Sequence, residues 1–233
     1  MSRERVLVWD GCVNVRDIGG LPLERGGETQ FGVIVRADSI RGLTERGWRA
    51  LADYDVRLAI DLRSDEEVAE DAGERPPVPV VHVPIGIAIP GLVPSMRVGY
   101  LAGLDRFRPQ FAHAASAVAS TSDTVVVHCQ GGRDRTGLLV ALLLRLAGVD
   151  PETIALDHAE SDRNWAPFID AWFEEAPDEE ERERRRIVAA PAGRTMVEVL
   201  EEVEARYRGP RGYLRGGGVS DEELDRIVLR LAP

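Results

Sequence analysis

Short apolar runs alternate along the chain with longer amphipathic runs, and the two kinds of run predict different elements. Runs rich in β-branched residues predict strands at residues 6–9, 32–36, 56–62, 78–83 and 124–127. Amphipathic runs predict helices at residues 44–54, 111–120, 138–144, 151–158, 197–207 and 222–231. A Gly-Gly pair at 26–27 marks a hairpin before the strand at 32–36. Strands that alternate with helices predict the α/β class, with a central mostly parallel sheet and helices on both faces.

Local signals define several helix ends. Thr44 is a suitable N-cap, and Ser64 with Glu67 fits a capping box for a helix after the strand at 56–62. Gly148 is suited to end one helix, and the mixed charges at 179–186 predict a solvated helix face.

The segment from Gly86 to Pro109 is the least regular part of the pattern. Glycine and proline interrupt any long element there, which fits a helical lid or substrate loop, or else an irregular connection with one short helix. No repeat or disordered linker divides the chain, so we expect a single domain over residues 1–233.

Composition narrows the classes of function. A formal net charge of −11 over 233 residues argues against general affinity for nucleic acid or anionic membranes. No apolar run approaches the ~20 residues that span a bilayer, and the first residues lack the apolar stretch of a signal peptide. Cys12 and Cys129 are too few for a disulfide scaffold. We expect a soluble cytoplasmic protein with no stable membrane insertion, cofactor or metal.

Candidate chemistry concentrates directly after the strand at 124–127, in the sequence His-Cys-Gln-Gly-Gly-Arg-Asp-Arg-Thr-Gly at 128–137. A thiol at a strand end, a glycine-bearing turn and a helix N-terminus form an anion-binding nest when the backbone N–H groups turn inward. The partial positive charge of these N–H groups and of the helix N-terminus also favours the thiolate form of Cys129. Arg135 offers a planar guanidinium that can bind two phosphate oxygens at once. The alternative is a buried, inert cysteine followed by a turn and a helix cap. The strand, glycines, arginine and helix in register favour a phosphate site.

The Cys-x5-Arg-Thr-Gly pattern resembles the signature loop of the cysteine-dependent protein tyrosine phosphatases. The blocks that resemble an atypical bacterial branch of that superfamily, whose members also hydrolyse phosphoinositides, lie at residues 14–20, 35–39, 60–67, 213–215 and 219–224. They occur in the family's order and span nearly the whole chain. The resemblance implies a phosphatase-like fold and hydrolysis of phosphomonoesters.

The resemblance also implies roles for residues of the loop. Cys129 would attack phosphorus to form a cysteinyl-phosphate that water then cleaves. The amides from Gln130 to Arg135, including those of Gly131 and Gly132, would cradle the phosphate oxygens. Thr136 would help hold the thiolate, and His128 would orient the loop, although a histidine at a strand end is also commonly a plain structural residue.

The general acid has several candidates, because the chain lacks the Trp-Pro-Asp tripeptide that supplies it in most tyrosine phosphatases; Trp165-Ala166-Pro167 lies downstream. Asp134 is favoured, since the resembled branch carries an aspartate just before the arginine. Asp61 at a strand end is the second candidate, with a structural role in accepting turn N–H groups as its alternative. Asp105 is the third.

Arg133 bears on the substrate, because a basic residue here could bind a second phosphate of a phosphoinositide. Lysine is more usual in the resembled branch, and a solvent-exposed arginine is the alternative. The predicted partner is a phosphorylated protein or a phosphoinositide. In a protein substrate the main target would be phosphotyrosine, with phosphoserine or phosphothreonine as a second target. Two other classes remain open: a phosphate-binding module without catalysis, and an arsenate reductase or sulfurtransferase that uses Cys12 as its second cysteine.

Overall fold

A computed structural model describes residues 4–71, 76–86 and 95–233. Its centre is a five-stranded sheet with the spatial order β1-β2-β5-β3-β4, in which only the edge strand β1 is antiparallel to its neighbour. The strands are β1 Arg16–Asp17, β2 Ile34–Ala37, β3 Val56–Asp61, β4 Val80–His82 and β5 Thr124–His128.

The described residues also form a 3-10 turn at Ile40–Gly42 and ten α-helices. These are α1 Glu45–Asp53, α2 Asp65–Ala69, α3 Met96–Arg106, α4 Arg108–Ala119, α5 Asp134–Ala147, α6 Pro151–Glu174, α7 Glu179–Ala189, α8 Gly193–Tyr207, α9 Gly209–Gly216 and α10 Asp221–Leu231.

Side-chain alternation along β5 separates two hydrophobic cores. Val125 and Val127 pack into the larger core, which α5 enters with an unbroken apolar run, whereas Val126 packs on the other face with Leu51 of α1. Both faces of the sheet are therefore covered, which confirms the predicted α/β architecture.

The local capping signals are confirmed. Thr44 accepts a hydrogen bond from the N–H of Gly47 at the start of α1, and Ser64 and Glu67 form the predicted capping box of α2. The residues of α7 are exposed or half-buried, as the charge pattern predicts.

Two predictions about element boundaries are wrong. Residues 6–9 form only an isolated bridge, from Val6 to Arg16 of the edge strand β1, and Val6 and Val8 face solvent instead of packing into the core. Helix α6 continues well past His158 and through Pro167. The proline lies in an exposed part of the helix, where a lost backbone hydrogen bond is compensated by water.

The segment between Gly86 and Pro109 is more regular than its composition suggests. Its described part forms α3 and the start of α4, and Tyr100 and Leu104 are buried in the larger core. The rest of the predicted lid or loop, residues 87–94, lies outside the described residues. Across residues 4–71, 76–86 and 95–233, no helix combines the length and the apolar character needed to cross a bilayer.

Candidate active site

The predicted nucleophile lies at the carboxyl end of the central strand. Strand β5 ends at His128, and Cys129 follows with a side chain that is 2% exposed. The chain turns through residues 130–133 and enters α5 at Asp134. Because β5 lies between β2 and β3, the loop sits over the middle of the sheet, on the edge where α/β proteins bind ligands.

Gly132 is required by the path of this loop. Its φ of +64° lies in the left-handed region that side chains disfavour. A Cβ atom there would lie 2.4 Å from the carbonyl oxygen of Ala37, which is far closer than two such atoms can approach. The absence of a side chain thus allows the loop to lie against the end of β2.

The surrounding structure holds the carbonyl oxygens of the loop. The carbonyl oxygen of Gln130 accepts a hydrogen bond from the N–H of Ser39 (3.0 Å). The carbonyl oxygen of Gly131 accepts from Asn14 Nδ2 (2.9 Å) and Trp165 Nε1 (2.8 Å). The carbonyl oxygen of Gly132 accepts from Arg36 Nη2 (2.9 Å). A planar peptide points the next N–H away from its carbonyl. The N–H groups of residues 131–133 therefore point to the opposite side, where the described part of the chain offers them no acceptor. This is the donor arrangement of an anion-binding nest.

Arg135 is held by a two-point ion pair with Glu67, a partner that the sequence had indicated only as a helix-capping residue. Nη1 donates to Glu67 Oε2 and to the carbonyl oxygen of Ile85 (3.3 Å), and Nη2 donates to Glu67 Oε1 (2.7 Å). Burial opposes the charge of Arg135, but the hydrogen bonds to Glu67 outweigh it and raise the pKa of Arg135. The guanidinium is therefore a permanent cation.

The remaining donors of Arg135 lie along one edge. A guanidinium has five N–H groups, and the contacts with Glu67 and Ile85 use three of them. The Nε–H and the second Nη2 proton have no acceptor among the residues described here. Two parallel N–H groups on one edge can bind two oxygens of a phosphate.

Asp134 interacts with a buried tyrosine that sequence reasoning missed. The hydroxyl of Tyr100 donates to Asp134 Oδ1 at 2.5 Å and lies 3.3 Å from Nε2 of His158. The side chain of Asp134 is 26% exposed, so it is open to solvent on one side. No pattern in the sequence pairs Tyr100 with the loop, because the contact joins the middle of α3 to the start of α5.

Asp61 is engaged by a neighbour along the chain. Its carboxylate accepts from the backbone N–H of Arg63 (3.0 Å) and from Arg63 Nε and Nη2 (3.0 and 2.7 Å). Burial opposes the charge, but these hydrogen bonds and the positive charge of Arg63 hold the pKa of Asp61 below its usual value. These contacts match the structural alternative, in which Asp61 accepts turn N–H groups. Asp105 is remote from the loop and contacts Tyr207 and Arg206.

His128 is buried beside Asp61, with Nε2 lying 3.9 Å from Asp61 Oδ2. Burial lowers the pKa of His128 to about 4, because the charge of Asp61 only partly offsets the loss of solvation. The imidazole is therefore neutral at physiological pH.

Arg133 points away from the nest. Its side chain is buried and donates to Asp162 Oδ1 (2.6 Å) and to the carbonyl oxygens of Val188 and Ala190, the latter at 2.6 Å. These contacts join the loop to α6 and to the end of α7. The guanidinium is thus buried among protein acceptors, so the solvent-exposed arginine considered above is wrong, and a contact between Arg133 and a second phosphate stays a prediction.

A buried ion cluster supports the loop from behind. Asp157 of α6 binds Arg5, Arg16 (3.0 Å) and Arg36 (2.7 Å), and the guanidinium of Arg36 also reaches the carbonyl oxygen of Gly132. Burial opposes the charge of Asp157, but the three arginines hold the pKa of its carboxyl far below the usual value. Burial also lowers the pKa of Arg36 to about 10.

Cys12 is a poor second cysteine for redox chemistry. Its thiol donates to the carbonyl oxygen of Ser39 at 3.5 Å, and burial, reinforced by Asp38, raises the pKa of Cys12 well above that of a free thiol. A resolving cysteine reacts as the thiolate, which this environment disfavours. Cys12 and Cys129 are both free.

A cleft of about 480 Å³ opens beside the loop. Its lining includes Gln130 of the loop, Trp165 of α6 and the charged residues Arg41, Arg63 and Asp71. The described residues hold no group of three or more acidic, histidine or cysteine side chains that could bind a metal.

Comparison with known proteins supplies the context for this geometry. A tyrosine-protein phosphatase of Nostoc commune is 28% identical over 222 residues, which cover 84% of this chain and 73% of that protein. A putative tyrosine-protein phosphatase of Cupriavidus necator is 28% identical over 178 residues, which cover 70% of this chain and 65% of that protein. The triple specificity protein phosphatase PtpB of Mycobacterium tuberculosis is 26% identical over 128 residues, which cover 49% of this chain and 46% of that protein. The model of the tyrosine phosphatase family matches residues 7–232, so the chain belongs to that family.

Proposed function

We propose that this phosphatase hydrolyses phosphotyrosine in proteins through a cysteinyl-phosphate on Cys129. The observation that carries the proposal is the pair of N–H groups on one edge of Arg135, next to a loop with its own N–H groups; neither set has an acceptor among the residues that the structure describes. Together they form a set of donors suited to a phosphate dianion, directly after a buried thiol.

The first step transfers the phosphoryl group to the protein. The Cys129 sulfur attacks phosphorus, the S–P bond forms, and the bond from phosphorus to the phenolic oxygen breaks as that oxygen takes a proton from Asp134. Charge on the transferred group is stabilised by Arg135 and the loop amides. Asp134 suits the acid role better than Asp61, because Asp61 is bound on two sides by Arg63.

The second step hydrolyses the cysteinyl-phosphate and restores the free Cys129 side chain. Water attacks phosphorus, gives its proton to Asp134, and the S–P bond breaks to release inorganic phosphate and the Cys129 thiolate. Thr136 supports this role: its hydroxyl is buried and has no hydrogen-bond partner within the described residues. A thiolate within reach of it would accept a hydrogen bond from that hydroxyl and remove the cost of burying it unpaired.

The contacts of Arg133 favour a substrate with a single phosphate. Three of the five N–H groups of its guanidinium already donate to Asp162, Val188 and Ala190, so turning the side chain towards a second phosphate of a phosphoinositide would break contacts that join the loop to α6 and α7. The mycobacterial relative is named a triple specificity protein phosphatase, which favours activity beyond a single substrate class. Phosphoserine, phosphothreonine and phosphoinositides are therefore kept as secondary candidates.

The test has two parts. Purified protein should release phosphate from p-nitrophenyl phosphate and from phosphotyrosine peptides, and Cys129→Ser should abolish release while still binding the peptides. Acid quenching of the wild-type reaction with labelled substrate should trap a phosphoenzyme. Binding without turnover in the wild type would favour the non-catalytic module. A panel of phosphotyrosine, phosphoserine and phosphoinositide substrates then ranks the classes, and a preference for bisphosphorylated phosphoinositides would contradict the argument from Arg133.

A further inference from the structure

The hydroxyl of Tyr100 is the nearest hydrogen-bond donor to Asp134. Tyr100 lies in the middle of α3 and is fully buried, and its hydroxyl is 2.5 Å from Asp134 Oδ1. The other charged neighbour, Arg133, lies farther away, with 3.7 Å between its Nη1 and the same oxygen. The orientation of the Asp134 carboxylate therefore depends mainly on this one hydroxyl.

The hydrogen bonds around Tyr100 fix the direction of its proton. Burial, reinforced by Asp134, raises the pKa of Tyr100 well above 10, so the phenol keeps its single proton. Burial, reinforced by Arg36 and Arg133, holds the pKa of His158 well below 6.5, so its ring is neutral and carries one N–H.

We assign that ring proton of His158 to Nε2, which lies 3.3 Å from the Tyr100 oxygen, because Nδ1 is buried and has no partner in the described part of the chain. The ring N–H then donates to the phenol oxygen, and the phenol O–H donates to Asp134. A chain of donors thus runs from α6 through α3 to the first residue of α5.

This chain leaves the two oxygens of Asp134 in different surroundings. Oδ1 accepts from Tyr100, whereas Oδ2 has no hydrogen bond within the described residues, and the side chain is partly open to solvent. A proton held by Asp134 would therefore sit on Oδ2, the oxygen that remains free to meet a leaving group.

We propose that Tyr100 is a positioning residue for proton transfer: its hydroxyl anchors Oδ1 of Asp134 so that Oδ2 carries the proton to the departing oxygen. In this step the Oδ2–H bond breaks, the O–H bond of the leaving phenol forms, and Tyr100 keeps its own proton. The inference rests on the proposed function, in which Asp134 is the general acid.

The experiment compares Tyr100→Phe with a matched control, Tyr213→Phe. Tyr213 is also fully buried, and its hydroxyl donates to the carbonyl oxygen of Leu104 (2.6 Å), away from Asp134. Each variant is assayed on a phosphotyrosine peptide, whose leaving group needs a proton, and on 2,4-dinitrophenyl phosphate, whose leaving group does not. Thermal unfolding reports on folding, and Tyr100→Met replaces the Phe variant if that variant fails to fold.

We expect Tyr100→Phe to lower kcat on the peptide by about tenfold and on dinitrophenyl phosphate by less than about threefold, with KM nearly unchanged, since only the proton donor is misplaced. Tyr213→Phe should affect both substrates equally. The double variant Tyr100→Phe/Asp134→Asn should be no slower on the peptide than Asp134→Asn alone. Equal losses on both substrates, or additive losses in the double variant, would overturn the inference.

The variant Asp134→Asn distinguishes a failure of the role proposed for Tyr100 from a failure of the general-acid role proposed for Asp134. If that variant slows the peptide selectively but Tyr100→Phe does not, Asp134 is the acid and only the role of Tyr100 is wrong. If Asp134→Asn slows both substrates equally, the acid assignment and the role of Tyr100 are both wrong. A selective loss in Asp61→Asn would then assign the proton to Asp61.

Discussion

Glu67 and Arg135 are 68 positions apart in the sequence, yet both oxygens of Glu67 meet both terminal nitrogens of Arg135. The same carboxylate accepts the N–H of Ser64 at 2.7 Å and so belongs to the capping box that starts α2. The start of one helix thus orients the guanidinium at the start of another. The adjoining edge of Arg135, formed by Nε and Nη2, is the one that the proposed function assigns to phosphate.

Glu67→Gln should lower kcat by about tenfold or more, because a neutral amide offers one acceptor where Arg135 now has two and the guanidinium loses its fixed plane. Steady-state kinetics on a phosphotyrosine peptide measure the effect. Ser64→Ala is the control, since it weakens the same helix cap and leaves the ion pair in place. If the Ser64 variant loses as much activity as the Glu67 variant, the effect comes from α2 and not from the orientation of Arg135.

Arg135→Lys keeps the positive charge but removes the two-donor edge. We expect the loss in kcat/KM to correspond to roughly 2–4 kcal/mol of transition-state stabilisation. Arg145→Lys, in the last turn of the same helix and paired with Glu24 and Glu204, should retain nearly full activity. Turnover of Arg135→Lys within about threefold of wild type would show that the two-donor edge of Arg135 does not stabilise the transition state.

Gly132→Ala should abolish phosphate binding, because the added methyl group would collide with the carbonyl oxygen of Ala37 and displace the loop. Gly26→Ala is a matched control: Gly26 also has a positive φ (+87°), but a Cβ there meets no atom within 4 Å. Both variants should lose about 1–2 kcal/mol of stability from the left-handed backbone. Binding of inorganic phosphate, measured by titration calorimetry, should disappear in Gly132→Ala alone, and its survival there would show that the loop tolerates a side chain.

Asp157 should make the fold sensitive to acid. Its folded pKa lies below the unfolded value of about 3.9, so its contribution is complete above that pH and is lost as the pH falls below it. Asp157→Asn should lower the free energy of unfolding by about 3–5 kcal/mol at pH 7, because Arg16 and Arg36 would stay buried without a counter-charge.

Urea unfolding at pH 7 and pH 3 measures both effects of Asp157→Asn, and Asp53→Asn on the exposed side of α1 is the control. Equal acid sensitivity in Asp157→Asn and wild type would assign that sensitivity to other carboxylates.

The buried histidines should remain neutral well below pH 6. Burial lowers the pKa of His128 to about 4 and also holds that of His158 well below 6.5. Both are protonated in the unfolded chain below about pH 6.5, so stability should decline as the pH falls from there towards 4. Imidazole NMR signals measured against pH test this directly, with His82→Gln and His113→Gln spectra for assignment. An inflection near pH 6.5 for either buried ring would contradict its neutral state.

Those parts of the site that follow from neighbours along the chain could be predicted from the sequence. The strand, the thiol, the glycine turn and the helix are consecutive, and periodicity with capping residues places each of them. The same holds for the capping box of Ser64 and Glu67.

Contacts between distant segments could not be predicted in this way. Nothing in the pattern of α3 indicates that Tyr100 reaches Asp134, and Trp165 in α6 contacts Gly131 only because the two elements pack together. The protein acceptors of Arg133 could not be predicted either. Its charge suggested a phosphate contact, and only the packing of the loop against α6 and α7 shows that its side chain donates to Asp162 and to the carbonyl oxygen of Ala190. Side-chain direction depends on tertiary packing, which a local pattern does not contain.

The ion cluster around Asp157 also has a consequence for how the enzyme is made. Arg36, Gly132 and Asp157 meet in one contact, although 121 positions separate the first from the last. A ribosome-bound chain that has exposed the whole Cys-x5-Arg motif still lacks the residue that anchors the arginine behind it. The motif is therefore translated before Asp157 is available to hold Arg36 against Gly132, and the loop gains this support only once α6 has emerged.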